Sequence, residues 1–274
     1  MIAAYTYFKA PIQTLTSDTE SQFFSAIRLA NGTFKTTSSA RMTELDMLTA
    51  KLVRARNWRR PAIIDLAVSS GVTTADLVET MISNGVKPTV TATDVQINAA
   101  IYVIAPGLRV LTDMSGSALQ YELFGLGIRP WSRRLDFLTG YFVLRKAVQC
   151  VAGRLAKKHL MNVKLVSRVR AASAQIAVDL VEDDLTKRNP HFERRFDVVR
   201  AANVLNLSYF APTLLQTMIE NLKAYARKPG GLLVINRTHS DGTNHGTIFE
   251  ISNNGINVLE RVGSGSEVEA FVTA

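Results

Sequence analysis

The chain has 274 residues, 47% of them hydrophobic, and a formal net charge of +9. That length suits one large domain, or one domain with a cap, and the composition excludes a disordered chain. No apolar run reaches the roughly 18–20 residues of a membrane span, and MIAAYTYFKAPIQ lacks the basic start and apolar stretch of a secretion signal.

Residues 1 to about 58 lack strand-like alternation. Thr19–Ala30 and Ser39–Ala55 read as helices, with Met42, Leu45, Leu48 and Leu52 at helical spacing and Asn31-Gly32 as the break between them. This region is expected to be an N-terminal helical cap. Its aromatics, Tyr5, Tyr7, Phe8, Phe23 and Phe24, would either roof an acceptor site or simply pack. From Pro61 the pattern alternates: a strand at Ala62–Val68, a helix at Thr73–Asn84 capped by Thr73 or Thr74 and ended by Gly85, then a strand at Thr89–Asp94.

A long basic insertion follows, at about 97–160. It opens on a small hairpin, Ile101–Ile104 and Arg109–Leu111 around Pro106-Gly107. It continues with a helix over about Leu135–His159, whose seam is Phe137, Tyr141, Leu144, Val148, Val151 and Leu155. Between Arg129 and Arg170 stand eleven Lys and Arg against one acid, Asp136. Lys51, Arg54, Arg56, Arg59 and Arg60 form a second basic cluster. Each reads as a face for an anionic partner or as a solvated helix face. The basic amphipathic helix would lie on a membrane or pack on the protein's own core. Cys150, the single cysteine, sits in this helix, is expected to be a small core residue and fits a reducing, cytoplasmic setting.

Strands resume at Ile176–Glu182 and Phe196–Leu205. A helix at Pro212–Arg227 stops at Lys228-Pro229-Gly230-Gly231, and Leu232–Arg237 is another buried strand. Thr247–Ile251 and Ile256–Val262 flank Ser252-Asn253-Asn254-Gly255, a hairpin signal. The expected fold is α/β: a doubly wound, mainly parallel seven-stranded sheet ending in an antiparallel hairpin, over about 59–274.

Five features stand in order. IIDLAVSSG (Ile63–Gly71) leads into a helix start, a natural anion or polar-ligand site. VTATD ends in Asp94, 23 residues after Gly71, where an acid would accept hydrogen bonds from ribose hydroxyls. Then come VDLVEDDL (Val178–Leu185), FDVVRAANVLNLSYF (Phe196–Phe210) and KPGGLLVINRT (Lys228–Thr238). On spacing alone, a nicotinamide dinucleotide would fit the first two equally well.

The full series resembles the S-adenosylmethionine-dependent methyltransferases of Rossmann-like (class I) fold, over about 60–274 apart from the insertion. The resemblance implies S-adenosylmethionine as cofactor, with S-adenosylhomocysteine as product. It implies Asp65 and Gly71 flanking the turn under the methionine part, Asp94 on the ribose, Asp184 facing the adenine amine with the Leu185 N–H nearby, and Asn203 lining the site. Where the family usually shows D-x-G-x-G-x-G, this chain has Ala67 and Ser69 in place of two glycines. A left-handed backbone there would cost each about a kcal/mol. His239 and Tyr209, after two strands, are candidates to touch an acceptor. His239, Asp241 and His245 match no strong zinc spacing and read as a turn, so no metal is expected.

The expected activity is methyl transfer to a small organic acceptor, anionic or lipid. The alternatives are non-methyl transfer or cyclisation on the same cofactor, RNA or protein methylation, and a cofactor-binding pseudoenzyme. Asn203-Val204-Leu205-Asn206 departs from the Pro-Pro-aromatic motif of many base methyltransferases, which speaks against nucleic acid.

Overall fold

A computed structural model describes residues 1–29, 32–35, 39–239 and 241–274. In chain order its helices are α1 (Ala4–Lys9), α2 (Ser17–Phe24), α3 (Thr43–Ala55), α4 (Val72–Ser83), α5 (Tyr141–Arg154), α6 (Arg168–Ser173), α7 (Pro212–Tyr225) and α8 (Glu269–Thr273). Its strands are β1 (Ala62–Leu66), β2 (Thr89–Asp94), β3 (Asn98–Ala105), β4 (Leu108–Asp113), β5 (Ala118–Leu123), β6 (Leu126–Ile128), β7 (Lys158–Lys164), β8 (Val178–Glu182), β9 (Val198–Ala202), β10 (Gly231–Thr238), β11 (Asn244–Ser252) and β12 (Gly255–Val262).

The chain forms two compact units, each built from two stretches of sequence: 1–37 with 96–172, and 38–95 with 173–274. A cut near residue 58 therefore does not follow the contacts. α3, expected in a helical cap, belongs with the second unit because Leu45, Ala50 and Val53 are buried against Ile63, Val90 and Leu232. Residues 1–37 belong with the insertion.

The second unit holds a seven-stranded sheet in the order β12-β11-β10-β9-β1-β2-β8. β8, β2, β1, β9 and β10 pair in parallel; β11 and β12 add antiparallel ladders. Period-two alternation splits each central strand between two cores. Ile63, Val198, Leu232 and Ile248 face α3 and α4, whereas Ile64, Val199, Leu233 and Phe249 face α7 and α8. Helices on both faces make these strands near-continuous apolar runs, which is why they read clearly from sequence. α7 lays Leu215, Met218, Ile219 and Leu222 on its face, at i, i+3, i+4 and i+7. The last hairpin closes one residue earlier than an Asn-Gly turn: Ser252 pairs with Gly255, so Asn253 and Asn254 form the bend.

The first unit holds a five-stranded antiparallel sheet in the order β6-β5-β4-β3-β7. The expected hairpin is β3–β4, turning at Gly107, where φ is +75° and a Cβ would meet the Phe124 ring at 2.3 Å. α1 and α2 cover one part of this sheet. Tyr7 stacks on Phe23 with ring centroids 4.1 Å apart, and Phe24 joins them over Ala99, Ile101, Leu111 and Val163. These aromatics are core side chains of their own unit. The buried Glu20 carboxylate accepts bonds from the Tyr7 hydroxyl, the Ser167 hydroxyl and the Arg168 N–H, tying the unit's two stretches together.

The helix expected over 135–159 is shorter. A 3₁₀ turn at Arg134–Asp136 precedes α5, and Lys158 already pairs with Val103 in the sheet. The buried face of α5 is Arg145, Val148 and Ala152. Phe137, Leu144, Val151 and Leu155, expected to dock, are exposed, and so is Cys150, which is not a core residue. Asn31 and Ala30 lie outside the described residues. Among the described residues, no helix is long and apolar enough to cross a membrane.

Candidate ligand site at the carboxyl ends of the parallel strands

The turn from β1 to α4 carries the most unusual backbone in the second unit. Ala67, Ser69 and Gly71 have φ of 56°, 58° and 76°, all in the left-handed region. They are the three alternate positions at which the family motif has glycine. Only Gly71 takes this conformation without strain; Ala67 and Ser69 each hold it at a cost of about 1–2 kcal/mol. Local hydrogen bonds fix the loop. The Val68 N–H donates to the Thr93 carbonyl at 2.9 Å, and the Gly71 N–H to the Val68 carbonyl at 2.8 Å.

Gly71 is also the N-cap of α4, a residue with no side chain to cap the helix. Neither Thr73 nor Thr74 caps it: the Thr74 hydroxyl donates instead to Asp65 at 2.8 Å. The first turn of α4 contains no acid. An uncapped N-terminus offers N–H donors and the positive end of the helix dipole. Among the described residues, a Cβ at Gly71 would meet nothing within 4 Å, which leaves space at that point of the turn.

Asp94, at the end of β2, is buried, and its Oδ2 accepts the Ser69 N–H at 2.7 Å. The acid and the small-residue bend, 25 positions apart, thus form one structure. Next door, the Asp183 N–H donates to the Asp94 carbonyl at 3.1 Å, which places the acids after β8 at the same end of the sheet.

Asp65 does different work. Its side chain is buried beside Arg200, whose Nη1 donates to Asp65 Oδ2 at 2.9 Å and to the Thr73 carbonyl at 3.2 Å. Arg200 also lies 3.2 Å from Asp46 Oδ1, and both Arg200 and Asp65 are 1% exposed. Burial alone would pull the guanidinium down, but Asp65 and Asp46 outweigh it and hold its pKa above the ordinary value. Burial pushes the Asp46 carboxyl up to about 6, partly opposed by Arg200. Asp65 thus braces the turn from below through Thr74 and Arg200. Neither Arg200 nor Asp46 stood out in the sequence; a charged residue inside the apolar run FDVVRAANVL was the only signal.

Asp184 closes a local turn. Its Oδ1 accepts the Thr186 hydroxyl at 2.7 Å and the Thr186 N–H at 3.1 Å, and the hydroxyl bond is the main reason its pKa lies below the usual carboxylate range. Its neighbour Asp183 is shifted upward by burial, against a 2.8 Å bond from Asn189. Leu185 is buried, and its carbonyl accepts the Asn221 side-chain amide at 2.8 Å.

Asn203 is also left-handed, at φ 59°. Its N–H donates to the Asn236 carbonyl at 2.9 Å, and its Oδ1 accepts the Thr238 N–H at 2.6 Å. It clips the ends of β9 and β10. Beneath it the Asn236 side chain is buried, with no hydrogen-bond partner at either amide atom among the described residues. Such an amide calls for a ligand or an ordered water; in the sequence it looked like an ordinary strand residue.

His239 follows Thr238 in a turn, where the Gly242 N–H donates to its carbonyl at 3.0 Å and its ring packs edge-on against His245 at 4.7 Å. Tyr209 is 81% exposed. Asp241 accepts the Thr243 N–H and hydroxyl within this turn. Among the described residues, no group of three His, Cys, Asp or Glu side chains is placed to hold a metal. A separate cavity of about 300 Å³ in the first unit, lined by Arg28, Leu29, Ser117 and Trp131 among others, includes none of these site residues.

The sequence matches no protein-family model and no curated protein. Among solved structures, the chain is similar to a Methanococcus maripaludis protein assigned as an S-adenosyl-L-methionine-dependent methyltransferase. Identity is 9%, covering 72% of this chain and 57% of that one, with a TM-score of 0.35. It is also similar to CalS10, an amino pentose methyltransferase from Micromonospora echinaspora solved with bound cofactor (10% identity, 85% and 80% coverage, TM-score 0.35). A third is the plantazolicin methyltransferase BpumL in complex with SAH (11%, 87% and 58%, TM-score 0.37). The chain spans little more than half the length of the first and third. At these scores the functional reading stands on the chain's own geometry.

Proposed function

We propose that the protein is an S-adenosylmethionine-dependent methyltransferase acting on a small organic acceptor. One observation carries this reading: the left-handed backbone at Ala67, Ser69 and Gly71, closed by the bond between the Ser69 N–H and Asp94. That loop fits the cofactor by chemistry. The uncapped start of α4 supplies N–H donors for a carboxylate. Asp94 supplies an acceptor for a ribose diol, and Gly71 leaves room for close approach.

The cofactor, when bound, supplies an activated methyl group, so the chain's task is to orient the acceptor and exclude water. In this reading Asp94 holds the ribose, the Ala67–Gly71 turn holds the methionine end, and Asp184 with Leu185 meets the adenine. Asn203 fixes the floor of the site by joining β9 to β10. His239 and Tyr209 are the candidates to touch the acceptor, and His239 would take up a proton if the acceptor loses one. Asp65 acts through Thr74 and Arg200 as a positioning residue.

Calorimetry with S-adenosylmethionine and S-adenosylhomocysteine tests the reading. Binding is expected for both, and Asp94→Ala should weaken it at least roughly tenfold, about 1.4 kcal/mol. Asp94→Asn, which keeps an acceptor for the Ser69 N–H, separates loss of the ribose contact from loss of the loop. No heat from a well-folded sample with either compound would overturn the assignment. In turnover, S-adenosylhomocysteine as product means methyl transfer, and methylthioadenosine means that another bond at sulfur broke.

A further inference from the structure

The stretch from Arg133 to Arg154 turns apolar side chains outward that the proposed chemistry does not use. Leu135, Phe137 and Leu138, on and just after the 3₁₀ turn, are 65%, 83% and 79% exposed, and Val143 on α5 is 67% exposed. α5 spends only a narrow stripe, Arg145, Val148 and Ala152, on its own unit. Val143, Ala147 and Val151 recur every fourth residue and make a second apolar stripe, also exposed.

Within the segment that carries this face, the exposed charge has one sign. The sole acid between Arg129 and Arg170, Asp136, is turned inward, paired with Arg129 and accepting the Arg133 N–H at 2.9 Å. Arg133, Arg134, Lys146 and Arg154 point to solvent. Protruding Leu, Phe and Val side chains among uncompensated cations match the boundary between acyl chains and anionic headgroups. Single-stranded nucleic acid would favour a groove of flat rings, and these side chains are mostly branched aliphatics. A second copy would bring like cations face to face across a two-fold interface.

We propose that this face, formed by Leu135, Phe137, Leu138 and the outer stripe of α5, docks on the surface of an anionic lipid bilayer. It lies on the membrane without crossing it, and cations and apolar side chains act together.

Co-sedimentation of the full chain with vesicles of phosphatidylcholine alone, or mixed with phosphatidylglycerol, tests this without reference to methyl transfer. Binding is expected on the mixed vesicles and about tenfold weaker or more on neutral ones. Phe137→Asp with Leu138→Asp, and separately Val143→Asp, should each lower partitioning about tenfold with an unchanged circular dichroism spectrum. Should either variant misfold, Arg133→Ser with Arg134→Ser carries the same expectation. Equal binding to neutral vesicles, binding to neither, or undiminished binding by folded variants overturns the proposal. So does a dimer in light scattering that the Phe137/Leu138 variant splits, or oligonucleotide binding that it abolishes while vesicles are not bound.

Discussion

Ala67 and Ser69 hold a conformation that L-residues avoid, and the loop keeps them there with hydrogen bonds to Thr93 and Asp94. The left-handed form costs each about 1–2 kcal/mol, while glycine adds about 0.5–1 kcal/mol of chain entropy to the unfolded state. Ala67→Gly should therefore stabilise the protein by up to about 1 kcal/mol in urea unfolding. Gly71→Ala should destabilise it by about the same amount, through backbone strain alone, because its Cβ has open space. Opposite signs at neighbouring positions would show that φ, and not packing, governs this turn. The buried acid Asp46 makes a second residue-scale prediction. Its folded pKa, raised to about 6, lies above the ordinary 3.8. The native state then binds more protons than the unfolded chain between about pH 4 and 6. The stabilisation is full below the unfolded pKa and lost as pH rises through the folded one. Asp46→Asn should flatten that part of the stability curve, an effect on the order of 1–3 kcal/mol, read by urea unfolding from pH 4 to 7.

At the scale of elements, burial decided what the sequence could reveal. Thr89–Asp94 was legible to the residue because β2 lies inside the sheet, with Val90 in an apolar core. β5 (ALQYEL) and β7 (KHLMNVK) were missed: each mixes buried and polar or exposed positions, and β7 is an edge strand. α5 was overextended because its apolar residues continue at helical spacing past Arg154, where the backbone turns extended at Leu155. Asp94 and the turn were legible because a small-residue bend before a helix and an acid at a strand end are both local patterns, and the bond from the Ser69 N–H to Asp94 joins them. Arg200 was not, because nothing local distinguishes a buried ion pair from a stray charge; its partner Asp46 is 154 positions away. α7 shows the legible case in energetic form. Leu215 has no exposed surface and opens the buried stripe of α7, in one core with Ile64, Val199 and Leu233. Leu215→Ala should lower unfolding stability by about 2–5 kcal/mol, whereas Thr217→Ala, on the exposed side of the same helix, should change it by no more than about 0.5 kcal/mol.

For the whole molecule, the consequence of two interleaved units is that neither is a simple stretch of chain. Among the described residues, the two cores of the seven-stranded unit draw on residues from Leu45 to Val90 and from Ile176 to Val272. The other unit joins its own stretches through Glu20, which receives hydrogen bonds from Tyr7, Ser167 and Arg168. Removing residues 96–172 alone should therefore strand Tyr7, Phe23 and Phe24, which pack against Ala99, Ile101 and Val163, and leave an aggregation-prone arm. Removing 1–37 and 96–172 together takes away a whole core with both of its halves. β2 and β8 are parallel neighbours, so a joining segment must cross from the carboxyl end of one to the amino end of the other, which takes about a dozen residues. With a Gly/Ser linker of about that length between Val95 and Ser173, the paired deletion should unfold cooperatively and keep the turn at Ala67–Gly71 intact. Its cofactor affinity, by the same calorimetry, should then stay within about tenfold of the full chain. A paired deletion that folds but has lost the cofactor would overturn that expectation, and a molten one would show that the seven-stranded unit does not fold by itself.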